Sequence, residues 1–397
     1  MSLTDFRPEF DNSYQELFQK TLVSSQIANT RFKASLRFGE SIERVAYDIS
    51  GVVVRDVTRG AASVIDVVTD SSELLTVNVE KEAVFHISDG ETTQAGPLNP
   101  GEVIGGKIAH KVSQSLDYKV FSEVRNAKNT FDAGDLTTLS SNGTPITPNA
   151  TTIPQMTTRM AAKLRYAENQ EVSTNMALVV DSYLAADIEQ YLMGKDIDIA
   201  GSVFKNGYAG VIRNAVMYVS ENLQGEATQI VDVATADETV TILGVTFTAK
   251  AIPSAAGEFD IAATADAEGA IMANMINGSA TGQDSATGYF EVSETNRAIL
   301  TSAQVVATYV DATDTLTVTA AGRLIYSTSM SGTVTKWLNC YFGKKGAIDL
   351  VVQDLSPVDM RKTDDRRGTN VFSSYLAGIK TFADGSVKFL NVKILVS

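Results

Sequence analysis

The clearest periodic signal follows Pro100 and Gly101, where Ile104, Ile108, Val112, Leu116 and Val120 recur at intervals of four and Phe121 and Val124 extend the stripe. That spacing predicts an amphipathic helix. Carried to about Phe131, it would run roughly 45 Å at 1.5 Å per residue. The opposite face reads Lys111, Gln114, Asp117, Glu123 and Lys128, so a single long helix lying on a sheet is expected. Residues 8–28 carry a second helical pattern behind Pro8, with Phe10, Tyr14, Leu17, Phe18, Leu22 and Ile27 at steps of three to five. A short amphipathic helix near a terminus must cover its apolar face, and another chain is one candidate for the cover.

Between these two stretches the period changes. Val45, Ile49, Val52, Val53, Val54, Val57, Val64, Ile65, Val67 and Val68 are followed by Leu75, Val77, Val79 and Val84, with Arg, Asp and Thr between them. This is strand text, and it predicts one or two long hairpins with turn chemistry at 58–60 and at 69–73. Charge on both faces (Arg44, Arg55, Asp56, Arg59, Asp66) implies a ribbon that projects from the body.

Downstream, residues 132–158 are rich in Thr, Asn, Pro and Ser and read as a loop, with helical text resuming at 157. A buried strand is expected at 176–180. A helix at 182–193 carries Leu184, Ile188 and Leu192 on one face. Further strands are expected near 211–212, at 215–220 and 347–352, and at 386–396. The fold class is α+β.

Composition alters the picture at one place. Residues 225–335 hold three basic residues (Lys250, Arg297, Arg323) against thirteen acidic ones, a net −10 of the chain's −14. The same window is rich in Ala and Thr, and Thr and Val suit a pleated surface. Strands are expected at 239–243, 245–248, 305–310 and 316–319, with a single helix at 262–277 whose Ile271, Met272 and Met275 share a face. A shift of that size marks an inserted β-rich domain.

The whole chain, 397 residues with 44% hydrophobic and 20% charged, is that of a folded protein of two or three domains. Its acidic balance disfavours a nucleic-acid reader, because such a surface repels phosphate. The opening residues MSLTDFRPEF lack a basic segment followed by an apolar one, so no signal peptide is expected and synthesis in a cytoplasm is.

Catalysis is short of parts. Cys340 is the one cysteine, and His86 and His110 are the two histidines; all three read as structural. Residues 101–107 match the spacing of a phosphate-cradling loop, but Ile108 stands where Ser or Thr should hold magnesium and no buried strand precedes them. Asp196 and Asp198 lack the glycine-anchored acidic loop that calcium needs. The triplets at Asn142, Asn149 and Asn277 are by-products of Thr-rich loops. No enzyme activity, cofactor or metal is expected. The mixed-sign run Arg361, Asp364, Asp365, Arg366 and Arg367, together with Arg55, Asp56 and Arg59 of the ribbon, forms the candidate subunit interface, where each sign would meet its opposite on a symmetry mate.

The order of elements (terminal arm, projecting hairpin, long lone helix, α+β centre with an insertion, closing strand) resembles the major capsid proteins of tailed bacteriophages, of the fold named after phage Hong Kong ninety-seven. Three stretches carry the resemblance. Residues 72–89 are similar to the return from the extended loop into the peripheral domain, 204–223 to the strand pair of the axial domain, and 377–392 to the closing strands.

The resemblance implies an N-terminal arm over 1–41 and an extended loop over 42–87. It implies a peripheral domain over 88–165 and 359–397 with a long spine helix, an axial domain over 166–222 and 336–358, and an insertion over 223–335. It implies self-assembly into hexamers and pentamers of an icosahedral head shell in the virion. That shell would enclose double-stranded DNA without sequence-specific contacts, with no membrane. A separate scaffolding protein, a portal and a cement protein are the implied partners. Some members join subunits through a Lys–Asn bond. Here the loop offers Arg44, Arg55 and Arg59, with Lys81 only on its return, so that chemistry is not carried over.

Three rival readings stand beside this one. An encapsulin-like compartment shares the fold. A β-rich tail or adhesive protein would leave the stripe from Ile104 to Val124 unexplained, and an enzyme would need a site of unfamiliar form.

Overall fold

The computed structural model describes residues 22–31, 41–48, 52–56, 65–88, 100–168, 175–193, 208–212, 215–355, 359–362 and 367–396. From the N-terminus, a 3₁₀ turn (Ser24–Gln26) precedes strands β1 (Ser41–Asp48), β2 (Thr69–Thr76) and β3 (Val79–Ser88) and helix α1 (Pro100–Ser122). There follow β4 (Asn129–Phe131), α2 (Thr152–Glu168), β5 (Met176–Val180), α3 (Ser182–Met193), β6 (Tyr208–Ile212) and β7 (Ala215–Val219). The Thr/Ala-rich stretch supplies β8 (Gln224–Ile230), β9 (Thr239–Ile242), β10 (Val245–Lys250), β11 (Glu258–Asp260), α4 (Ala265–Asn277), α5 (Glu294–Ser302), β12 (Val306–Val310), β13 (Thr315–Ala321) and β14 (Tyr326–Thr328). The chain closes with β15 (Val334–Lys344), β16 (Asp349–Leu355), β17 (Asp359–Lys362), β18 (Gly368–Lys380), a helical turn (Ala383–Ser386) and β19 (Phe389–Leu395). Helices combined with largely antiparallel sheets make this an α+β protein. The chain divides into two compact units, one from 1–126 with 344–388 and the other from 127–343 with 389–397.

In the first unit β18 is the central strand of a four-stranded sheet. Antiparallel β3 runs along one side of it, and β16 and β17 pair with it in tandem. Helix α1 lies against β18, with Ser115 Oγ 3.1 Å from Tyr375 Oη. The expected stripe is the buried face, since Ile108, Val112, Leu116, Val120 and Phe121 are all covered.

Two details differ from the sequence reading. The helix stops at Ser122, about 35 Å from its start at 1.5 Å per residue, and passes through a 3₁₀ turn (Glu123–Asn126) into β4. Asn129 to Phe131 are taken instead into a parallel pairing with β19. Asp117, expected on the solvent face, is buried. Its carboxylate accepts from Val23 N (3.2 Å), Ser24 N (3.1 Å) and Ser24 Oγ (2.5 Å), and so ties down the end of the arm. Leu22 and Ile27 are buried as well. This end of the arm therefore has its cover within its own chain; residues 8–21 of the expected helix lie outside the described residues.

The second unit holds a nine-stranded sheet in the order β12-β13-β8-β15-β5-β7-β6, with β19 paired to β15 and β4 to β19. Strands β5 and β7 are parallel, joined by a connection through α3, the arrangement that parallel neighbours require. Strands β8 and β13 thus lie in one sheet with β5 and β15. A second sheet, β11-β10-β9-β14, shares a core with α4 and α5 that buries Val240, Phe247, Phe259, Met272, Met275 and Tyr289.

Two helices interrupt these strands where one was expected. The nine-residue α5 begins at an N-cap, Ser293, whose Oγ accepts from Asn296 N at 3.3 Å. All three cations of this stretch are held in ion pairs within the unit, Lys250 with Asp237, Arg297 with Glu291 and Arg323 with Asp181.

The stretch expected as a plain loop at 132–158 is organised by buried charge. Asp132 accepts from Gly134 N (3.0 Å), Asn142 N (3.0 Å) and Gly143 N (2.8 Å). Asp135 meets Lys163 Nζ at 2.6 Å, and Lys163 also donates to Leu139 O at 3.1 Å. Helix α2 starts at Thr152, five residues earlier than its apolar text, because Asn149 Oδ1 accepts from Thr151 N (2.8 Å) and Thr152 N (2.9 Å).

One carboxyl in this unit is poised to titrate near neutrality. Glu268 of α4 is buried; Oε2 accepts from Ala262 N at 2.7 Å while Oε1 has no hydrogen-bond partner. Burial first, and then the charges of Asp260 and Glu238, push its pKa up to about 7, against the lowering effect of the Ala262 bond. A carboxyl raised in the folded state favours folding fully below its ordinary value of 4.5 and loses that contribution as pH rises through about 7. Glu268→Gln is therefore expected to match the parent in urea melts near pH 4.5 and to exceed it at pH 8 by about 1–2 kcal/mol, after allowance for partial solvent screening. A stability difference independent of pH between these limits would contradict the assignment.

Candidate assembly surface

Strands β1 and β2 form a two-stranded antiparallel ribbon, in register from Ser41 opposite Thr76 to Asp48 opposite Thr69. The step at 69–73, expected as a turn, is strand. Opposite charges at Arg44 and Glu73 face each other across the ribbon, a pairing that favours this register.

The base of the ribbon is fastened to the first unit by apolar contact and by charge. Leu75 and Val77 are buried in a cluster with Val351 and Phe382, onto which Ile42 and Leu376 pack. The seat is tight at Gly378 of β18, where a Cβ would stand 2.7 Å from Leu75 Cδ2 and 2.9 Å from Thr76 O. Arg44 Nη2 donates to Asp384 Oδ2 at 2.7 Å, and its guanidinium lies 5.2 Å from the Phe382 ring centre. Glu73 accepts from Ala383 N at 3.0 Å, and Lys380 Nζ donates to Leu74 O at 2.9 Å.

The tip has a different character. Val52, Val53 and Val54 on one side and Ile65, Val67 and Val68 on the other are exposed, with Val54 at 99%, Ile65 at 89% and Val67 at 76%. Between them Arg55 and Asp66 make a two-pronged pair, Nη1 to Oδ2 and Nη2 to Oδ1 at 2.7 Å each, and Asp66 also accepts from Val53 N at 2.9 Å. The Arg55 hydrogen bond holds the Asp66 carboxyl below its usual range. A bidentate fork fixes geometry as well as charge. The two arms of the tip are thus braced across the ribbon, and the valines and Ile65 remain in water.

Arg55 and Asp56 of the candidate interface sit on this exposed tip, and Arg59 lies outside the described residues. Arg361 is on β17, opposite Asn370 of β18, and Arg367 is exposed just before β18. Asp364, Asp365 and Arg366 lie outside the described residues. What the sequence reading missed is the apolar tip itself, since its valines read as strand text rather than as surface.

His86, His110, Cys340 and residues 101–107 all lie within strands or helix α1. His86 Nδ1 lies 2.8 Å from Asn370 Oδ1 on the neighbouring strand, and His110 is on the exposed side of α1. Residues 101–107 are turns of α1 rather than a loop. Cys340 is buried in β15, and burial pushes its thiol well up from the ordinary range, away from a reactive thiolate. Asp196 and Asp198 lie outside the described residues. Among the described residues, no group of three or more His, Cys, Asp or Glu side chains is placed to hold a metal ion, and no helix is long and apolar enough to cross a membrane.

No protein-family model matches the sequence, and no curated protein matches it. Solved structures resemble it in fold. A chain from Mycobacterium phage Ogopogo is 12% identical, with 94% of this chain and 92% of that one covered and a TM-score of 0.48. The asymmetric unit of the bacteriophage PhiM1 mature capsid is 11% identical, with 90% and 82% covered and a TM-score of 0.44. The virus-like particle from Pyrococcus furiosus is 9% identical, with 97% and 99% covered and a TM-score of 0.41. The likeness is one of fold.

Proposed function

We propose that this chain is a major capsid protein, many copies of which close into the icosahedral head shell of a tailed phage. The observation that carries the reading is the ribbon, whose base is locked to its own unit while its tip holds Val54, Ile65 and Val67 in water. Apolar side chains on a braced tip are costly to a solitary molecule and mark a contact site. They fit a molecule whose neighbours supply the cover, repeated by symmetry. Arg55, Asp56 and Arg59 on the ribbon, and the run from Arg361 to Arg367, are the charged rim of that contact.

In this reading residues 1–41 are the arm and 42–87 the extended loop. Residues 88–165 with 359–397 form the peripheral domain, 166–222 with 336–358 the axial domain, and 223–335 the insertion. Subunits gather as hexamers and pentamers, guided by a separate scaffolding protein and joined by a portal and a cement protein. Synthesis is in the bacterial cytoplasm and the product resides in the virion. The acidic surplus suits a container that must not adhere to its double-stranded DNA.

Electron microscopy and light scattering of the purified chain test the proposal. Closed shells are the expected result, and a monomer persisting at every concentration would overturn it. Shells that enclose a co-purifying protein instead of DNA would transfer the reading to an encapsulin-like compartment.

A further inference from the structure

Asp349 opens β16 and is buried, yet segments far apart in the sequence meet on its carboxylate. Oδ1 accepts from Asn29 Nδ2 at 2.5 Å, and Oδ2 faces Arg44 Nη1 at 3.6 Å. Asn29 belongs to a seated segment. Its N–H donates to Ile348 O (2.8 Å), its carbonyl accepts from Leu350 N (3.0 Å), and Ile27 O accepts from Gly346 N (2.6 Å). Residues 27–29 therefore lie beside β16, bridged to it in parallel at Asn29 and Asp349. On the other side Arg44 of β1 spans Asp349 and Asp384, and Asp384 is also held by Lys388 Nζ at 2.9 Å.

Burial holds the Asp349 carboxyl above its usual range, against the lowering effects of Asn29 and Arg44. The anion is thus poorly solvated and stands on these few partners. Removing one partner of a buried charge leaves the remainder to carry it, which is where large coupling arises.

We infer that Asp349 is a shared latch through which the 27–29 segment and the base of the ribbon stabilise each other. Each also has a footing of its own, the arm on Asp117 and the ribbon on Leu75 and Val77, so neither detaches outright when the other is released. Loosening travels both ways, because coupling between two sites is reciprocal. The latch is a property of the single chain and does not depend on whether copies form a shell.

Hydrogen exchange on the full-length chain tests it. Asn29→Ala is expected to speed exchange of the β1–β2 amides around Arg44 and Glu73 by about fivefold, the lower end for coupled sites. Arg44→Met is expected to speed the amides of Gly346 and Leu350, which donate to the arm carbonyls, by a similar factor. Lys250→Met, in the second unit, serves as the control and should leave all of these amides unchanged. Singles that each loosen only their own segment would overturn the latch. Asp349→Asn gives an independent check, since it should loosen both segments together; loosening of one alone would also overturn it.

Discussion

Replacing Lys163 with methionine is expected to destabilise the second unit by about 3–5 kcal/mol, the range for breaking one side of a buried ion pair. Lys163 and Asp135 are 8% and 0% exposed at their side chains and 2.6 Å apart. The ammonium is fully engaged, donating also to Leu139 O at 3.1 Å and Ser141 Oγ at 3.4 Å. Without it, Asp135 keeps only Asp132 N (3.1 Å) and the Ser141 hydroxyl (3.0 Å) and becomes a buried charge with no cation beside it. Leu139 O loses its donor at the same time. The aliphatic stem is nearly conserved in methionine, so the loss reports charge rather than volume. Urea denaturation of the unassembled chain measures it, and Asp135→Asn in the Lys163→Met background should recover part of it by removing the stranded anion. A loss below about 1 kcal/mol, the level of an exposed pair, would show that water reaches the site. Limited proteolysis at 137–151 should follow the same order, since Lys163 is the post against which that loop is tied.

That loop also shows what a sequence hides. The stripe of α1, the buried run of β5 and both ends of α3 were legible because each is a periodic pattern held within one stretch of chain. The misses share a cause. Asp117 reads as a surface residue until its partner Ser24, 93 positions away, is known. Asp132, Asp135 and Lys163 look like solvated loop and helix charges for the same reason. The step at Thr69 to Glu73 has the composition of a turn, and its pairing partner at Arg44 to Asp48 made it strand. In α5 only Ile299 and Leu300 are large and apolar, too few for a period to show. The composition shift at 225–335 marked a change of surface chemistry but could not reveal that β8 pairs with β15 in a common sheet. At the candidate site, Arg55 and Asp66 were both visible as ribbon charges. Their mutual pairing, which turns a charged ribbon into a braced apolar tip, required the register of the two arms.

Joint replacement of Val54 and Ile65 by aspartate is expected to abolish shell assembly while leaving the fold of the single chain nearly unchanged. Both side chains are almost fully exposed, at 99% and 89%, so neither contributes packing within its own chain. Surface changes of that kind usually stay within about 0.5 kcal/mol of the parent stability. In a contact between copies the balance reverses. Fully burying a valine or isoleucine is worth about 1.5–3 kcal/mol, and a carboxylate forced into the same place must be desolvated or excluded. Two lost anchors, repeated at every subunit, exceed what a weak multivalent contact can absorb, since each 1.4 kcal/mol is about tenfold in association. Sedimentation and electron microscopy should show only unassembled chains, with circular dichroism and thermal melts close to the parent. Arg55→Met should act in the same direction but less strongly, because it removes the brace and leaves the apolar surface. Normal shells from the double aspartate variant would place the contact elsewhere, and a variant that unfolds as a monomer would show that the tip belongs to its own core.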